Sequence, residues 1–445
     1  MPERIRKKKK MSSFEMIAFG FAGVILLGAI ILMLPISSSA GVVTPFDKTL
    51  FTATSAVCVT GLVVVDTGSY WSAFGQAVIL LLIQTGGLGV ITVVASFSMV
   101  SGRKISLMQR STMQDAISAP KVGGIVRLTK FILQGTFLIE LIGAILMLPV
   151  FCKDYGWKGI WMSVFHSVSA FCNAGFDILG TAGQTFPSLT GYIANPLINL
   201  VIMLLIVIGG IGFLTWDDFC TNKWNLKRYR LQSKIILVTT AVLILLPAIF
   251  FFLSDFAGFS MGKRILASLF QSVTLRTAGF NTADLGAMND SSKAIMTLMM
   301  LIGGSPGSTA GGMKTTTIAV LILNAFATFG REPETEVFGR RFDNTVVKNA
   351  ATIAILYFFL FFAGGIAISQ IEHVALSDCL FETASAVGTA GLTLGITTEL
   401  GLVSHLILVV LMYLGRVGGL TLIYAAISVK IQSGAKRPLD KITVG

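Results

Sequence analysis

Long apolar stretches recur along the whole chain, separated by short polar segments. A helix needs roughly 20 apolar residues to cross a bilayer, and these stretches reach about that length. The pattern predicts an all-α integral membrane protein with eight transmembrane helices, four running outward and four returning. The outward helices are predicted at Phe14–Leu34, Ile125–Phe151, Ser233–Leu253 and Val346–Gln370. The returning helices are predicted at Phe74–Val100, Leu197–Leu214, Lys293–Phe329 and Leu402–Ile431.

A shorter apolar segment lies between each outward helix and its returning partner. At roughly a dozen residues, each is too short to span a bilayer and is typical of a re-entrant half-helix. Each ends in a small-residue turn with a glycine, and these four glycines are 114, 104 and 112 residues apart. A second glycine cluster recurs in the returning helices. The short segments are Pro45–Cys58, Gly159–Cys172, Lys263–Thr274 and Leu376–Val387, and the clusters lie at 86–89, 209–212, 303–305 and 415–419.

Two markers that recur in the same order indicate an internal repeat. We therefore expect four pseudo-symmetric repeats, each a helix, a re-entrant pore helix and a helix, around one central pore. Because every repeat crosses the membrane twice, all four have the same orientation. The predicted repeats are 14–110, 111–232, 233–342 and 343–430, and the predicted cytoplasmic tails are 1–13 and 431–445.

The placement of the basic residues predicts the topology. The chain has a net charge of +12, and 25 of its 34 Lys and Arg residues fall in five segments. This positive-inside pattern puts both termini and three loops in the cytoplasm of a multi-pass protein of the cell membrane. It favours attraction to anionic lipid over nucleic-acid binding. The first apolar run is longer than a signal peptide requires, so we expect it to remain as a helix. The five segments are 1–10, 101–130, 221–234, 331–348 and 430–445.

The four turns suit the passage of a monovalent cation. Non-helical backbone at membrane depth must be buried in protein or line water, so the turns are predicted to converge on one aqueous path. Half-helices that end there direct the negative ends of their dipoles at the pore, and turn carbonyls can replace an ion's hydration shell. Helix C-capping is the alternative for any single glycine. The predicted filter residues are Val59, Thr60, Gly61, Asn173, Ala174, Gly175, Thr277, Ala278, Gly279, Thr389, Ala390 and Gly391.

The third returning helix contains a segment that cannot be ordinary helix. Residues 303–314 include five glycines and a proline, so polar backbone there must face protein or water. Lys314 in this segment and Arg416 in the fourth glycine cluster are cations at predicted membrane depth, where a charge is costly and suggests function.

The four glycine turns, the glycine clusters and the eight predicted spans together resemble the Ktr/Trk/HKT superfamily of potassium transporters, over the whole chain. The likeness is greatest to the membrane subunit of bacterial Ktr systems. It implies potassium uptake, with the filter glycines setting ion preference and a serine in the first repeat favouring sodium. Since Gly61 is a glycine, the resemblance favours potassium as the transported ion. The resemblance leaves open whether transport requires sodium as an activator.

The resemblance also implies a gate and partners. The matching segment in the family is an intramembrane loop that gates the pore, and a static helix kink without a gating role is the alternative. The arginine beneath the filter is either an electrostatic barrier or a support for the loop carbonyls, and a structural pairing with Asp or backbone is an equal alternative. A cytosolic nucleotide-binding ring subunit and a homodimer are expected, with no cofactor in this chain. The expected gate residues are Gly303, Gly304, Ser305, Pro306, Gly307, Ser308, Thr309, Ala310, Gly311, Gly312, Met313, Lys314 and Arg416.

Two other functions remain as alternatives. A secondary symporter for another small solute would need a midplane substrate site with acids or polar side chains in broken helices. Membrane carboxylates are few, and Glu140 and Glu382 are the main candidates. An intramembrane enzyme would need a paired nucleophile and base or a metal cluster, and the sequence indicates neither. Four acids follow the turns and are interpreted as solvated loop charge, with concentration of cations at the pore mouth as the alternative. They are Asp66, Asp177, Asp284 and Glu399.

Overall fold

The structure, a computed structural model, describes residues 12–100, 105–117, 119, 121 and 123–418. The first eleven residues of the predicted N-terminal tail, and everything predicted after residue 418, lie outside this range. Strands β1 (Glu336–Val337) and β2 (Arg340–Arg341) form an antiparallel hairpin. The helices are α1 (Ser13–Met33), α2 (Phe46–Cys58), α3 (Thr67–Tyr70), α4 (Ala73–Leu88), α5 (Val90–Val100), α6 (Leu107–Ile117), α7 (Ile125–Tyr155), α8 (Lys158–Phe171), α9 (Pro196–Gly210), α10 (Phe213–Asn222), α11 (Leu231–Leu253), α12 (Met261–Thr274), α13 (Asp290–Leu301), α14 (Thr315–Phe329), α15 (Asn344–Glu372), α16 (Leu376–Gly388) and α17 (Leu402–Val417).

Four helices in the described part of the chain are individually long and apolar enough to cross a membrane: α1, α7, α11 and α15. They coincide with the four predicted outward helices. Many of their large apolar side chains are exposed, as expected for surfaces that face lipid. The chain therefore has the helical character of a membrane protein that its apolar pattern predicts.

The returning helices differ from the prediction of continuous spans. Helices α4 and α5 meet at 99°, and α9 and α10 meet at 97°. The breaks fall at Gly89 (φ 86°) and Gly212 (φ 91°), and Gly418 (φ 90°) has the same conformation after α17. Glycine reaches this region at little cost, whereas a side chain would be strained there. Counting each bent pair as one span gives six candidate spans among the described residues, so the total of eight remains a prediction.

The four short helices α2, α8, α12 and α16 match the predicted re-entrant segments. Each packs against the long helix that precedes it. Each also contacts a helix from another part of the chain, and these contacts close into a cycle: α2 with α17, α8 with α4, α12 with α9, and α16 with α13. One phenylalanine of each short helix is almost completely buried: Phe51, Phe165, Phe270 and Phe381. This cyclic packing brings the C-terminal ends of the short helices together. The predicted repeat boundaries stay predictions.

Candidate functional site

All four short helices end in turns of the same backbone shape. The first turn residue is left-handed in each, although none is a glycine: Val59 (φ 57°), Asn173 (φ 59°), Thr277 (φ 63°) and Thr389 (φ 52°). Two residues later, a glycine has a positive φ in each: Gly61 (97°), Gly175 (68°), Gly279 (78°) and Gly391 (79°). Left-handed backbone is costly for residues with side chains, and such strain concentrates at functional sites.

The four turns contact one another in a closed ring. A Cβ atom built on each glycine would press against the backbone of a neighbouring turn, so none of the four has room for a side chain. The oxygens it would meet are Ala174 O at 2.5 Å from Gly61, Ala278 O at 2.7 Å from Gly175, Ala390 O at 3.1 Å from Gly279, and Thr60 O from Gly391. The structure thus places the twelve predicted filter residues side by side, and we call this arrangement the filter ring.

Hydroxyl groups near the ends of the short helices hold the turns in place. Ser55 Oγ accepts the Gly61 N–H at 3.0 Å. Two further hydroxyls bond to the chain just after the glycine: Ser169 Oγ donates to Phe176 O at 2.7 Å and Thr274 Oγ1 donates to Phe280 O at 2.7 Å. Because the C-terminal ends of four helices meet at the ring, their dipoles favour positive charge there.

The glycine clusters let the returning helices approach the short helices closely. In three of the clusters, a Cβ atom built on one glycine would overlap a carbonyl oxygen of the short helix or its end. That oxygen belongs to the residue two positions before the left-handed turn residue. The overlapping pairs are Gly86 with Val57 O, Gly209 with Phe171 O, and Gly415 with Val387 O. These glycines therefore allow the returning helices to support the filter ring from outside.

Residues Gly303–Lys314 form an excursion between α13 and α14, which we call the intramembrane loop. Its two ends lie together, since the Gly303 N–H donates to Met313 O at 2.7 Å and the Thr315 N–H donates to Gly304 O at 3.0 Å. Ser305 Oγ also lies 3.2 Å from Thr315 Oγ1. The break in helical structure that the glycines and Pro306 predict is present.

Backbone hydrogen bonds attach the intramembrane loop to the break between α9 and α10. The Ser305 N–H donates to Gly210 O at 2.9 Å, and the Phe213 N–H donates to Gly307 O at 2.8 Å. Gly212 has no room for a Cβ atom, which would lie 2.7 Å from Pro306 O. The loop is therefore well anchored, although its glycine content alone suggests a flexible segment.

The tip of the loop touches the filter ring. The Thr309 N–H donates to Gly209 O at 3.2 Å, and Thr309 Oγ1 donates to Phe171 O at 3.0 Å. Thr309 Oγ1 is also 3.3 Å from Asn173 Oδ1. A Cβ atom on Gly311 would overlap the Thr389 side chain. Residues of the second and fourth turns are thus in direct contact with the loop.

The opposite side of the loop lines a cavity of about 250 Å³. Helices α1 and α6 contribute Ile17, Asp115 and Ile117 to its wall. From the loop and α17 it is lined by Gly307, Ser308, Ala310, Gly312, Met313, Lys314 and Arg416. The loop therefore lies between the filter ring and this cavity.

Arg416 links the intramembrane loop to the first glycine cluster. Its guanidinium donates to Thr309 O in the loop and to Gly86 O in α4, and it donates to Gly87 O at 3.1 Å. Within the described residues, Arg416 forms no ion pair. Arg416 therefore has two of the contacts expected from the sequence, to loop carbonyls and to other backbone, and among the described residues it has no Asp partner.

The other two cations at this level have different surroundings. Lys314 Nζ donates to Ala310 O at 2.9 Å, within its own loop. Arg276 is buried beside the third turn, and its carbonyl accepts the Asn173 Nδ2–H at 3.2 Å. Nε and Nη2 of Arg276 have no hydrogen-bond partner among the described residues. Arg276 thus contacts the second turn through its backbone carbonyl and is not part of the intramembrane loop.

The acids that the sequence singles out make structural contacts. Buried Glu382 accepts hydrogen bonds from Thr393 Oγ1, from Thr397 Oγ1 at 2.7 Å and from the Leu394 N–H at 3.3 Å. Glu140 lies 3.4 Å from Gln84 Nε2. Asp66 is also buried, so its interpretation as solvated loop charge is wrong.

Asp66 instead caps a short helix and joins two segments that are distant in sequence. Its carboxylate accepts the Ser69 N–H at 2.8 Å at the start of α3 and the Phe186 N–H at 2.9 Å. By contrast, Asp284 and Glu399 are exposed, as expected for loop charge, and Asp177 is half-buried.

Two features of the site were not predicted from the sequence. Tyr357 on α15 donates its hydroxyl to Gly415 O at 3.2 Å, but a tyrosine among lipid-facing aromatics carries no signal of this contact. The helix breaks at Gly89 and Gly212 were also missed. Their signal was present, because both residues close glycine clusters that the sequence had singled out.

Across the described ranges, no group of three or more His, Cys, Asp or Glu residues could hold a metal ion. The filter ring would act on a cation through backbone oxygens, as cargo and not as a resident cofactor.

Comparison with known proteins adds independent information. A family model described as "TrkH: Cation transport protein" matches residues 26–435. The potassium/sodium uptake protein NtpJ of Enterococcus hirae is 36% identical over 457 residues, covering 100% of this chain and 99% of the relative. The Ktr system potassium uptake protein B of Bacillus subtilis is 35% identical over 450 residues, with the same coverage.

A solved structure has a similar fold. The crystal structure of the potassium transporter TrkH from Vibrio parahaemolyticus superposes with a TM-score of 0.74 over 96% of this chain and 87% of that chain. Because the sequence identity is 18%, this similarity concerns the fold alone.

Proposed function

This chain belongs to the TrkH family of cation transport proteins, and on that premise we propose that it is the potassium-conducting membrane subunit of a Ktr-type uptake system. It is a membrane-embedded transporter and not an enzyme. The names of its relatives, a potassium/sodium uptake protein and a Ktr potassium uptake protein, support uptake of monovalent cations.

The observation that carries the proposal is the closed filter ring. Four turns of the same shape meet at the ends of four short helices, and their glycines leave no side chain between neighbouring backbones. Such a ring can present backbone carbonyls to a dehydrated cation from four sides. Glycine at all four positions, Gly61 included, supports potassium as the preferred ion.

We assign the gate to the intramembrane loop. It is supported by the contacts of Thr309 with the second turn and of Gly311 with the fourth, and by the cavity on its other side. A segment in this position would close the path beneath the filter ring. Arg416 would then hold the closed loop to α4 and place positive charge on the cation path.

Regulation and assembly belong to the same proposal. We expect a homodimer and a cytosolic nucleotide-binding ring that acts on the loop, because Ktr-type relatives suggest a membrane subunit with partners. Cavity-lining helix α6 and the hairpin β1–β2 carry basic residues that such a partner could contact. Sodium dependence is part of the hypothesis because one relative is named as a potassium/sodium uptake protein.

The decisive experiment measures ion preference directly. Purified protein in a planar bilayer, with potassium on one side and sodium on the other, should show a reversal potential displaced toward that of potassium. Adding sodium to symmetric potassium would test activation. A current that does not discriminate between the ions, or vesicles that take up a sugar or amino acid but no rubidium, would refute the proposal.

A further inference from the structure

Two adjoining cavities surround the first turn of α7, apart from the filter ring and the intramembrane loop. One measures about 640 Å³ and lies between α7 and α10. The other measures about 490 Å³ and lies between α7 and α6. Both are lined by Gly124, Ile125 and Arg127, so they share one wall. The positive-inside pattern assigns this end of α7 to the cytoplasmic face of the membrane.

Basic side chains dominate the polar part of these walls. Lys121, Arg127 and Arg230 line the larger cavity, and Arg110, Arg127 and Lys130 line the smaller one. One acid, Asp217, also lines the larger cavity, and it is paired with Arg230 at 2.6 Å. Arg230 is also 3.6 Å from Asp218.

The remaining four basic residues are not neutralised by any residue that the structure describes. In the part of the chain that the structure describes, Arg110, Lys121, Arg127 and Lys130 have no ion-pair partner within 4.0 Å. Nε of Arg110 is buried and has no hydrogen-bond partner there. A buried guanidinium nitrogen without an acceptor among the described residues can donate to a partner such as a water, an anion or a ligand oxygen.

The other part of the walls is apolar and continues into the membrane. Ile125, Leu128 and Phe131 of α7 and Leu214 of α10 line the larger cavity. Further along α7, the side chains of Phe137, Leu138 and Leu141 are exposed on its outer surface. The cavities therefore have a basic end at the membrane surface and an apolar end that follows a spanning helix toward the acyl chains.

We propose that these cavities bind the phosphate headgroup of an anionic phospholipid, with its acyl chains lying along α7. Basic pockets between membrane helices at the cytoplasmic face suit such headgroups. Arg127 lies on the shared wall and would contact phosphate from either cavity. The first N–H groups of α7, which Gly124 leaves without a side-chain cap, add donors at the same place.

The site has a direct physical connection to the intramembrane loop. Leu214 on the cavity wall follows Phe213, whose N–H donates to Gly307 O in the loop at 2.8 Å. A bound lipid would therefore pack against the same helix that anchors the loop. Binding itself does not depend on the proposed transport function and can be measured without ion flux.

Lipid binding can be tested on the purified full chain by native mass spectrometry. The protein is titrated separately with phosphatidylglycerol, cardiolipin, phosphatidylcholine and inorganic phosphate. The double variant Lys121→Gln, Arg127→Gln removes two cavity charges. A matched double variant, Lys227→Gln, Arg228→Gln, removes two exposed charges on the same face that line neither cavity.

We expect the two anionic lipids to bind and phosphatidylcholine to bind more weakly. The cavity variant should bind anionic lipid about 10- to 30-fold more weakly, because each basic residue near such a lipid contributes about 1 kcal/mol and 1.4 kcal/mol is tenfold. The matched variant should bind as the wild type does.

Three results would overturn the proposal: equal affinity for neutral and anionic lipid, equal losses in the two double variants, or saturation by inorganic phosphate alone. If the double cavity variant fails to fold, Arg127→Gln alone replaces it, with Arg228→Gln as its control.

Discussion

Glycine at the third position of each filter turn is required by both its backbone conformation and its contacts. At Gly61, φ is 97° and a Cβ atom would lie 2.5 Å from Ala174 O and 3.2 Å from the Gly175 Cα atom. A side chain there must therefore strain its own turn or displace the next one. Since neighbouring turns share such contacts, one substitution should disturb carbonyls on two sides of the ring.

Gly61→Ser should lower the preference for potassium over sodium. The added side chain changes both the width of the ring and the positions of its carbonyls. It should also lower the free energy of unfolding by about 1–3 kcal/mol, the usual cost of a strained backbone conformation. Reversal potentials and thermal unfolding of the purified variant measure the two effects.

Gly258→Ser is a matched control for this substitution. Gly258 has no positive φ, and a Cβ atom there would meet nothing within 4 Å. We expect ion preference and stability to match the wild type. If Gly61→Ser folds and keeps the wild-type permeability ratio, the assignment of the filter is wrong.

Arg416 combines two physical effects that substitution can separate. Its charge opposes a cation on the path: at about 6 Å, with an effective dielectric constant near 20, this repulsion is worth about 3 kcal/mol. Its guanidinium also ties Thr309 O to Gly86 O. Arg416→Ala should raise basal flux through loss of both effects, by up to about 100-fold for the charge alone.

Arg416→Lys distinguishes the two effects, because lysine keeps the positive charge but lacks the planar guanidinium, which can donate several hydrogen bonds at once. If charge dominates, this variant should conduct as little as the wild type does. If the tie between loop and α4 dominates, its flux should approach that of Arg416→Ala. Wild-type flux in Arg416→Ala itself would show that Arg416 has only a structural role.

The intramembrane loop contacts several other parts of the site. Its ends are held together by the Gly303–Met313 and Gly304–Thr315 hydrogen bonds, while its tip contacts α9, the ring and Arg416. The tip can therefore be removed without stretching α13 or α14 apart. This arrangement separates the role of the tip from that of the flanking helices.

Deletion of Gly307–Gly311 should raise basal flux and make it insensitive to the cytosolic partner. The deletion removes the bond from the Phe213 N–H and the contacts of Thr309, yet leaves all twelve filter residues in place. Ion preference should therefore be unchanged. Flux and reversal potentials of the purified, folded variant test both expectations.

Thr309→Val is a milder version of the same test, since it keeps the side-chain size and removes the hydroxyl that donates to Phe171 O. Its flux should rise by less than that of the deletion. If the deletion variant has wild-type basal flux and still responds to the partner, the loop is not a gate. That result would favour a static helix kink.

The sequence predicted the helices whose ends are set by the local apolar pattern. It missed the helix bends and the loop contacts, which depend on packing between distant residues. Outward helices such as α1 and α11 were predicted within two residues, because their apolar runs have clear ends. The bends after α4 and α9 were not predicted, because the glycine clusters that end at Gly89 and Gly212 are equally compatible with a straight helix that packs closely against its neighbours. The firm anchoring of the loop was missed too, because its partners, such as Gly209 and Gly210, are distant in sequence.

The whole molecule is organised by the cyclic packing of its four short helices. The contact of α16 with α13 and that of α2 with α17 join the last part of the chain to the third and to the first. The proposed ion path through the ring would therefore pass between all four parts of the chain. A proton-coupled symporter would instead need a titratable side chain at the point where solute crosses.

The two membrane carboxylates lie beside the filter turns without being part of the ring, since Glu140 Oε1 is 4.0 Å from Cys172 Sγ, just before the second turn. Glu140 lines a cavity of about 320 Å³ whose other walls are mostly apolar, with residues such as Leu81 and Phe137 that are exposed toward lipid. Glu382 is held by Thr397 Oγ1 and the Leu394 N–H, which fixes the chain after the fourth turn. Neither is among the residues that form the ring or the loop.

We therefore expect Glu140→Gln to leave rubidium uptake at the wild-type level, because the amide keeps the size of the side chain and the ion path does not use its charge. Vesicles loaded with potassium should accumulate tracer rubidium in response to the membrane potential. An inward proton gradient should not increase that accumulation in either protein. If a proton gradient drives uptake in the wild type and Glu140→Gln abolishes it, the chain is a symporter and the pore proposal fails. Gly61→Ser, measured in the same vesicles, shows whether the assay can detect a damaged filter.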